Sequence, residues 1–157
     1  MLGLTIALAM IMSYIEALVP LSFAVPGIKM GLANIVIIFV LYKIGTKEAI
    51  LVSIIRVILV SLLFSNVMAM AYSIAGAVLS LSVMWLLKKT DKFSFVGVSI
   101  AGGIMHNVGQ IIMAVILLGT EQIALYLPVL IITGTATGVV IGIVSGLVIN
   151  RIKNIRL

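Results

Sequence analysis

Several chemically versatile residues are rare or missing in this chain. It contains no cysteine, one histidine and four acidic residues in a length of 157 residues. The absence of cysteine excludes disulfides, thiolate metal sites and cysteine nucleophiles. Because the histidine and the acidic residues lie well apart in sequence, they leave little from which to build a metal site. We therefore expect the protein to hold neither a metal nor a cofactor.

Charge is scarce as well. Only 9% of the residues are charged and 64% are hydrophobic, which gives a mean hydropathy of +1.43. A chain this apolar is typical of a polytopic membrane protein and excludes a soluble domain. The net charge of +6 does not indicate nucleic-acid binding, because basic residues in membrane proteins report topology. The lipid bilayer is the first expected partner.

The apolar runs predict an all-α integral membrane protein, with one domain over residues 1–157 and a bundle of six transmembrane helices. The predicted spans are residues 2–18, 30–44, 49–64, 67–87, 95–118 and 128–149. The first run has neither a basic leader nor a small-residue cleavage pattern, so we interpret it as a retained span. Between the first two spans, Pro20, Pro26 and Gly27 break any helix. That stretch is either a re-entrant or capping loop or an ordinary external loop.

The basic residues predict the orientation of these spans. Six spans put both termini on one side of the membrane, and eight of the ten basic residues then fall on that side. By the positive-inside rule that side is cytoplasmic. The eight residues are Lys43, Lys47, Lys88, Lys89, Lys92, Arg151, Lys153 and Arg156.

Polar side chains inside the apolar runs form the candidate binding site. Such residues are costly in hydrocarbon, usually face a bundle interior and mark functional sites. With the predicted orientation they collect in the outer half of the membrane, as a cup that opens outward. The candidate substrate-binding residues are Glu16, Lys29, Asn34, Arg56, His106, Asn107 and Gln110. Two basic residues against one acidic residue leave an excess positive charge, which favours an anionic or zwitterionic ligand.

Two structural interpretations of the same residues stay open. Glu16 and Arg56 form either a purely structural ion pair within the membrane or part of the ligand site. His106 and Gln110 share one helical face, with Asn107 on its flank. These three groups either bind the ligand or only hydrogen-bond neighbouring helices and hold the bundle together.

Two stripes of small residues predict close helix contacts. In the sixth span the glycines recur at every fourth position, a spacing typical of helix packing: Gly134, Gly138, Gly142 and Gly146. In the first span a similar stripe consists of Thr5, Ala9, Ser13 and Ala17. Whether the helix that packs on this second stripe belongs to the same chain or to a partner protein is left open by the pattern.

The combination of three motifs resembles a known family. The segment PGIKMGLANI (26–35), Arg56 and the segment HNVGQ (106–110) are together similar to the Gx transporter family, also described as heptaprenyl diphosphate synthase component I. The resemblance covers nearly the whole chain. It implies a relation to the S components of energy-coupling factor (ECF) transporters, six-helix carriers of the bacterial plasma membrane with an outward-facing substrate cup. Those carriers dock onto a transmembrane T subunit and two ATPases, and the resemblance gives Ala9 and Ser13 a docking role.

The expected function is therefore the substrate-binding subunit of an ECF-type uptake transporter and not an enzyme. The chain lacks an ATP-binding glycine–lysine motif, so its energy comes from partner subunits. An alternative is a non-catalytic membrane partner of heptaprenyl diphosphate synthase in a quinone-precursor pathway. Prenyl elongation itself uses paired aspartate-rich motifs that hold magnesium, whereas this chain has a single aspartate, Asp91. A third hypothesis, a membrane enzyme using His106 with Glu16 for proton transfer, rests on one acid–base pair.

Overall fold

The protein is a bundle of apolar helices in a computed structural model that describes residues 2–18 and 31–151. Within those residues there are six α-helices, one 3₁₀ helix and no strand. The helices are α1 (Leu2–Leu18), α2 (Asn34–Lys43), α3 (Thr46–Phe64), α4 (Val67–Lys89), α5 (Phe95–Leu118), a 3₁₀ helix (Glu121–Tyr126) and α6 (Leu127–Arg151). The predicted all-α class is confirmed for this part of the chain.

Three of these elements are long and apolar enough to cross a membrane. They are Val67–Lys89, Phe95–Leu118 and the combined stretch Glu121–Arg151. The α1 and α2 helices are apolar but shorter, and α3 carries Lys47, Glu48 and Arg56 among its 19 residues. The protein is therefore a helical membrane protein, and the crossing of the bilayer by all six helices stays a prediction.

Local sequence explains where the central helices begin and end. The side chain of Asn66 accepts a hydrogen bond from the Ala69 N–H at 2.8 Å, and Ser94 accepts one from Gly97 at 3.2 Å. Asparagine and serine are favoured at this position because they satisfy one of the free N–H groups of the first turn. Gly119 ends α5 in the left-handed conformation, with φ of 64°, which glycine adopts without steric cost.

The α4, α5 and α6 helices pack closely through glycines. A Cβ atom added at Gly138 of α6 would lie 2.6 Å from the Cα of Ile100 on α5. One added at Gly109 of α5 would lie 2.6 Å from the carbonyl oxygen of Ala75 on α4. Contacts this short exist only because the side chain is a hydrogen, so the backbones approach as in other small-residue helix pairs. The glycine stripe of the sixth span thus faces α5 within the same chain.

The α1, α2 and α3 helices form the other side of the bundle. Ala9 is fully buried, in a core that also contains Ile37 of α2 and Val52 of α3. A hydrogen bond from the Ser145 hydroxyl to the carbonyl oxygen of Ile35, at 3.4 Å, joins α6 to α2. At the opposite end of α2, the Lys88 ammonium of α4 donates to the carbonyl oxygen of Leu41. The α2 helix therefore connects the two sides.

The docking role that the resemblance gives Ala9 and Ser13 does not fit the position of these residues in the structure. Thr5, Ala9 and Ser13 are all buried within the chain, while the side chain of Ala17 lies outside the described residues. The small side chains are needed where α1 meets α2 and α3. The face that α1 leaves exposed carries large apolar residues, among them Leu4, Leu8, Ile11 and Ile15.

Burial of the stripe predicts different outcomes for two neighbouring alanines of α1. Ala9→Leu adds volume to a filled core and is expected to lower the free energy of unfolding by about 1–3 kcal/mol. Ala7→Leu is the matched control, because Ala7 is exposed and the added side-chain atoms displace only lipid or detergent. Thermal unfolding of both variants in the same detergent measures the difference. Equal stability of the two would contradict the burial of this face.

The α5–α6 contact predicts a similar contrast within one helix. Gly138→Ala places a methyl group against the backbone of α5 and is expected to cost about 1–3 kcal/mol by overpacking. At Gly146 an added Cβ atom first meets the ring of Phe95, at an ordinary 3.5 Å. Gly146→Ala should therefore be neutral or slightly stabilising, since alanine is the better helix former. Similar unfolding temperatures for the two variants would show that α5 and α6 are not in backbone contact.

Candidate functional site

A polar cavity lies where helices from the two sides of the bundle face each other. The α1, α3, α4 and α5 helices contribute its walls: Ser13, Glu16, Arg56, Val57, Val60, Ser61, Ser73 and His106. The empty space around these residues, including its open part, is about 280 Å³. Most of that space is either open to the outside or too narrow for a water molecule. In this arrangement the cavity therefore has room for about one water molecule.

Arg56 is the group of this cavity whose burial costs the most free energy. Its side chain is 5% exposed, and its Nη1 donates a hydrogen bond to the Ser13 hydroxyl at 3.2 Å. A guanidinium ion so far from water has to be compensated by an opposite charge. Glu16, which is 8% exposed, lines the same cavity and attracts Arg56 electrostatically. The two residues thus line one cavity in the structure.

Glu16 is held in turn by the backbone just before α2. Its Oε1 accepts a hydrogen bond from the N–H of Gly31 at 2.5 Å. Gly31 has φ of +86°, and a Cβ atom there would lie 3.1 Å from Nδ2 of Asn34 and 3.3 Å from Cδ2 of His106. Only glycine combines this backbone conformation with so little space. Gly31 therefore brings Glu16, Asn34 and His106 together.

His106 and Gln110 occupy successive turns of one face of α5. Their Nε2 atoms are 3.2 Å apart, and both side chains are buried. The α4 helix reaches them because it has a glycine at the contact. A Cβ atom on Gly76 would lie 2.9 Å from Nδ1 of His106 and 3.0 Å from Cγ of Gln110. The shared face that the spacing predicts is therefore the face toward α4, and of these two residues His106 lines the cavity whereas Gln110 does not.

Three polar atoms of the cavity wall have no hydrogen-bond partner among the described residues. They are Nε of Arg56 and the hydroxyl oxygens of Ser61 and Ser73. Buried polar atoms are nearly always bonded to protein, water or a ligand. Buried polar atoms of Asn34, Ser80, Ser99 and Asn107 also have no such partner, so what distinguishes these three is their common position at one cavity, where one molecule can contact all of them. The two serines were missed from the sequence, because serine within apolar helices is equally typical of plain helix packing.

Not every predicted site residue belongs to this cavity. The Asn107 side chain is on the other face of α5, where its Nδ2 donates to the carbonyl oxygen of Leu130 on α6 at 2.6 Å. A helix turns about 100° per residue, so Asn107 and His106 cannot both face α4. The assignment of Asn107 to the ligand is corrected accordingly, and the residue joins α5 to α6. Lys29 lies outside the described residues.

The arrangement defines a class of protein: a helical membrane protein with a small polar cavity that holds a buried arginine and a buried glutamate. Among the described residues no three His, Cys, Asp or Glu side chains come together as a metal site. The model of one family, heptaprenyl diphosphate synthase component I, matches residues 5–148. The chain belongs to that family. No curated protein and no solved structure matches it.

Compensation of Arg56 by Glu16 predicts strong coupling between the two residues. Arg56→Met alone is expected to cost about 3–5 kcal/mol of unfolding free energy, because it leaves a buried carboxylate without its counter-charge. Adding Glu16→Gln should recover a large part of that loss, so that the double variant is far more stable than the sum of the single changes. Chemical or thermal unfolding of the three variants measures this.

The matched control pairs Arg56→Met with Glu121→Gln. Glu121 is exposed in the 3₁₀ helix, so these two changes should be additive. Additivity of the Glu16 and Arg56 changes as well would show that the two residues do not compensate each other.

Proposed function

We propose that the protein is the substrate-binding membrane subunit of a multi-subunit uptake transporter, similar to an ECF S component. It takes up a small anionic or zwitterionic molecule in a cup that opens outward. The observation that supports this most strongly is the set of unpartnered polar atoms at one cavity, on Arg56, Ser61 and Ser73. A molecule bound in the cavity would satisfy all three groups at once.

The position of the cavity along the bundle supports the outward orientation. Glu16 is two residues from the end of α1 at Leu18, and α4 reaches the cavity with Ser73, near the start of that helix. The opposite end of the bundle carries Lys88 against the end of α2. The positive-inside rule predicts that the lysine-rich end is cytoplasmic, which supports a position of the cavity in the outer half of the membrane.

Partner subunits enter this proposal because the chain has no motif that binds ATP. Uptake against a gradient then depends on energy from other proteins, a T subunit and ATPases in the transporters that the chain resembles. The face through which they bind is not the Ala9–Ser13 stripe, which is buried. His106 and Glu16 act in this proposal as binding groups and not as catalysts.

The family description favours a second candidate, a non-catalytic membrane partner of heptaprenyl diphosphate synthase. In that role the protein contributes contacts and no chemistry. Diphosphate chemistry on Mg²⁺ needs clustered carboxylates, and the described residues contain no such cluster. The single aspartate, Asp91, is exposed in the loop between α4 and α5.

Native mass spectrometry of the purified protein tests the binding function. We expect a small molecule to co-purify with the wild type and to be lost from the double variant Ser61→Ala/Ser73→Ala, which removes two donors without adding volume. Ser80→Ala is the matched control, because Ser80 is a buried serine of α4 that does not line the cavity. It should keep the molecule.

Proteins that co-purify in the same experiment separate the two candidates. ATPase subunits support the transporter, and a prenyl diphosphate synthase supports the second role. Absence of any bound molecule from the wild type, or its equal retention in the cavity and control variants, would contradict a substrate-binding cup.

A further inference from the structure

The formal charges that line the cavity cancel. Among the described residues of its wall, Arg56 contributes one positive charge and Glu16 one negative charge. Both side chains are more than nine-tenths buried. Any net charge brought into such a place has to be desolvated without a counter-charge, which is costly at low dielectric. Charge balance therefore favours a ligand whose own net charge is zero.

Hydrogen-bond donors and acceptors lie on different residues of the same cavity wall. Arg56 can only donate, through Nε and its other N–H groups, and the Ser61 and Ser73 hydroxyls can donate beside it. Glu16 as a carboxylate can only accept, and it is the acidic residue of the described cavity wall. The cavity thus offers donors for an anionic group and a carboxylate for a cationic one.

We propose that the ligand is a compact zwitterion. Its carboxylate binds to Arg56 and the hydroxyls of Ser61 and Ser73, and its ammonium-type cation binds to Glu16. This inference rests on the proposed function, since it names the class of substrate that the cup takes. In the bound state each charge of the protein meets an opposite charge of the ligand, and the total remains zero.

Two features exclude a phosphate or diphosphate from this site. A diphosphate brings two or more negative charges, which one arginine already balanced by a glutamate does not neutralise. The described residues also lack a cluster of carboxylates for a bridging metal.

The cavity has to widen before even a small zwitterion can enter it. The α1 helix packs mainly on α2 and α3, while α5 packs on α4 and α6. Glu16 and Ser13 of α1 therefore face His106 of α5 across a junction with little direct helix packing. A movement of α1 away from α5 at this junction would open the site and would leave in place the packing of α3 on α4 and the glycine contacts among α4, α5 and α6.

A matched set of small probes tests the proposal. Glycine carries both charges, acetate only the carboxylate and methylammonium only the cation, and neither of the two partial probes is larger than glycine. Inorganic phosphate and pyrophosphate complete the set. The purified wild-type protein is heated with each probe at several concentrations, because a ligand that binds only the folded state raises Tm with concentration. At a concentration of about ten times its Kd, glycine should raise Tm by about 3–6 °C, and the other probes at the same concentration by clearly less.

Two variants then show how each charge is used. Glu16→Gln should weaken glycine binding about ten- to a hundredfold, the usual effect of removing a charged hydrogen-bond partner, and should make acetate the better ligand. Ser61→Ala/Ser73→Ala should weaken glycine and acetate alike. Ser80→Ala, the control, should bind all probes as the wild type does. If Glu16→Gln does not fold, the wild-type ranking of glycine over acetate still decides the question.

Each contrary result overturns the proposal in a recognisable way. If acetate or phosphate stabilises the wild type as well as glycine does, the ligand is an anion, and the substrate-binding function stands. If methylammonium does so, the site recognises a cation, and the zwitterion is again excluded. If no probe changes Tm, the compact zwitterion is wrong, and the co-purified molecule decides the function independently.

Discussion

The rest of the structure depends on the burial of one guanidinium group in an apolar bundle. Arg56 is almost without exposure to solvent, and such a charge is tolerated only where opposite charge and hydrogen-bond acceptors surround it. Glu16 supplies the charge and Ser13 an acceptor. The backbone of Gly31 positions Glu16 through a hydrogen bond. The end of α1, the start of α2 and the middle of α3 are therefore fixed relative to one another by a single electrostatic requirement.

Close packing through glycines holds the other side of the bundle together. Gly109 and Gly76 bring α4 and α5 together beside His106, and Gly134 and Gly138 bring α5 and α6 together on the opposite face. Two glycine-lined faces on one helix leave the orientation of α5 little freedom, so its polar face is held toward α1 and α3. The cavity is the place where this tightly packed side meets the charged side without close helix packing.

Much of this could be predicted from the sequence, for physical reasons that differ between features. Apolar run length and the cost of polar groups in hydrocarbon predicted the helical class and the meeting of Glu16, Arg56 and His106. Helical periodicity shows that Ala9 and Ser13 share one face of α1, but it does not show which helix packs on that face. In the structure α2 and α3 cover it. Asn107 was misassigned because neighbours in sequence point to different helices. Ser61 and Ser73 carry no sequence signal that separates a cavity wall from ordinary packing.

The central claim is that a hydrated binding cavity reaches Ser73, whereas Ser80 on the same helix does not line that cavity. Since the natural chain has no cysteine, single Ser73→Cys and Ser80→Cys variants isolate one thiol each. Methanethiosulfonates react with the thiolate, which forms only where water reaches the sulfur. A membrane-impermeant reagent of this kind, added outside intact cells, should modify Ser73→Cys much faster than Ser80→Cys. Equal rates at the two positions, or no reaction at Ser73→Cys, would contradict an outward-opening cavity.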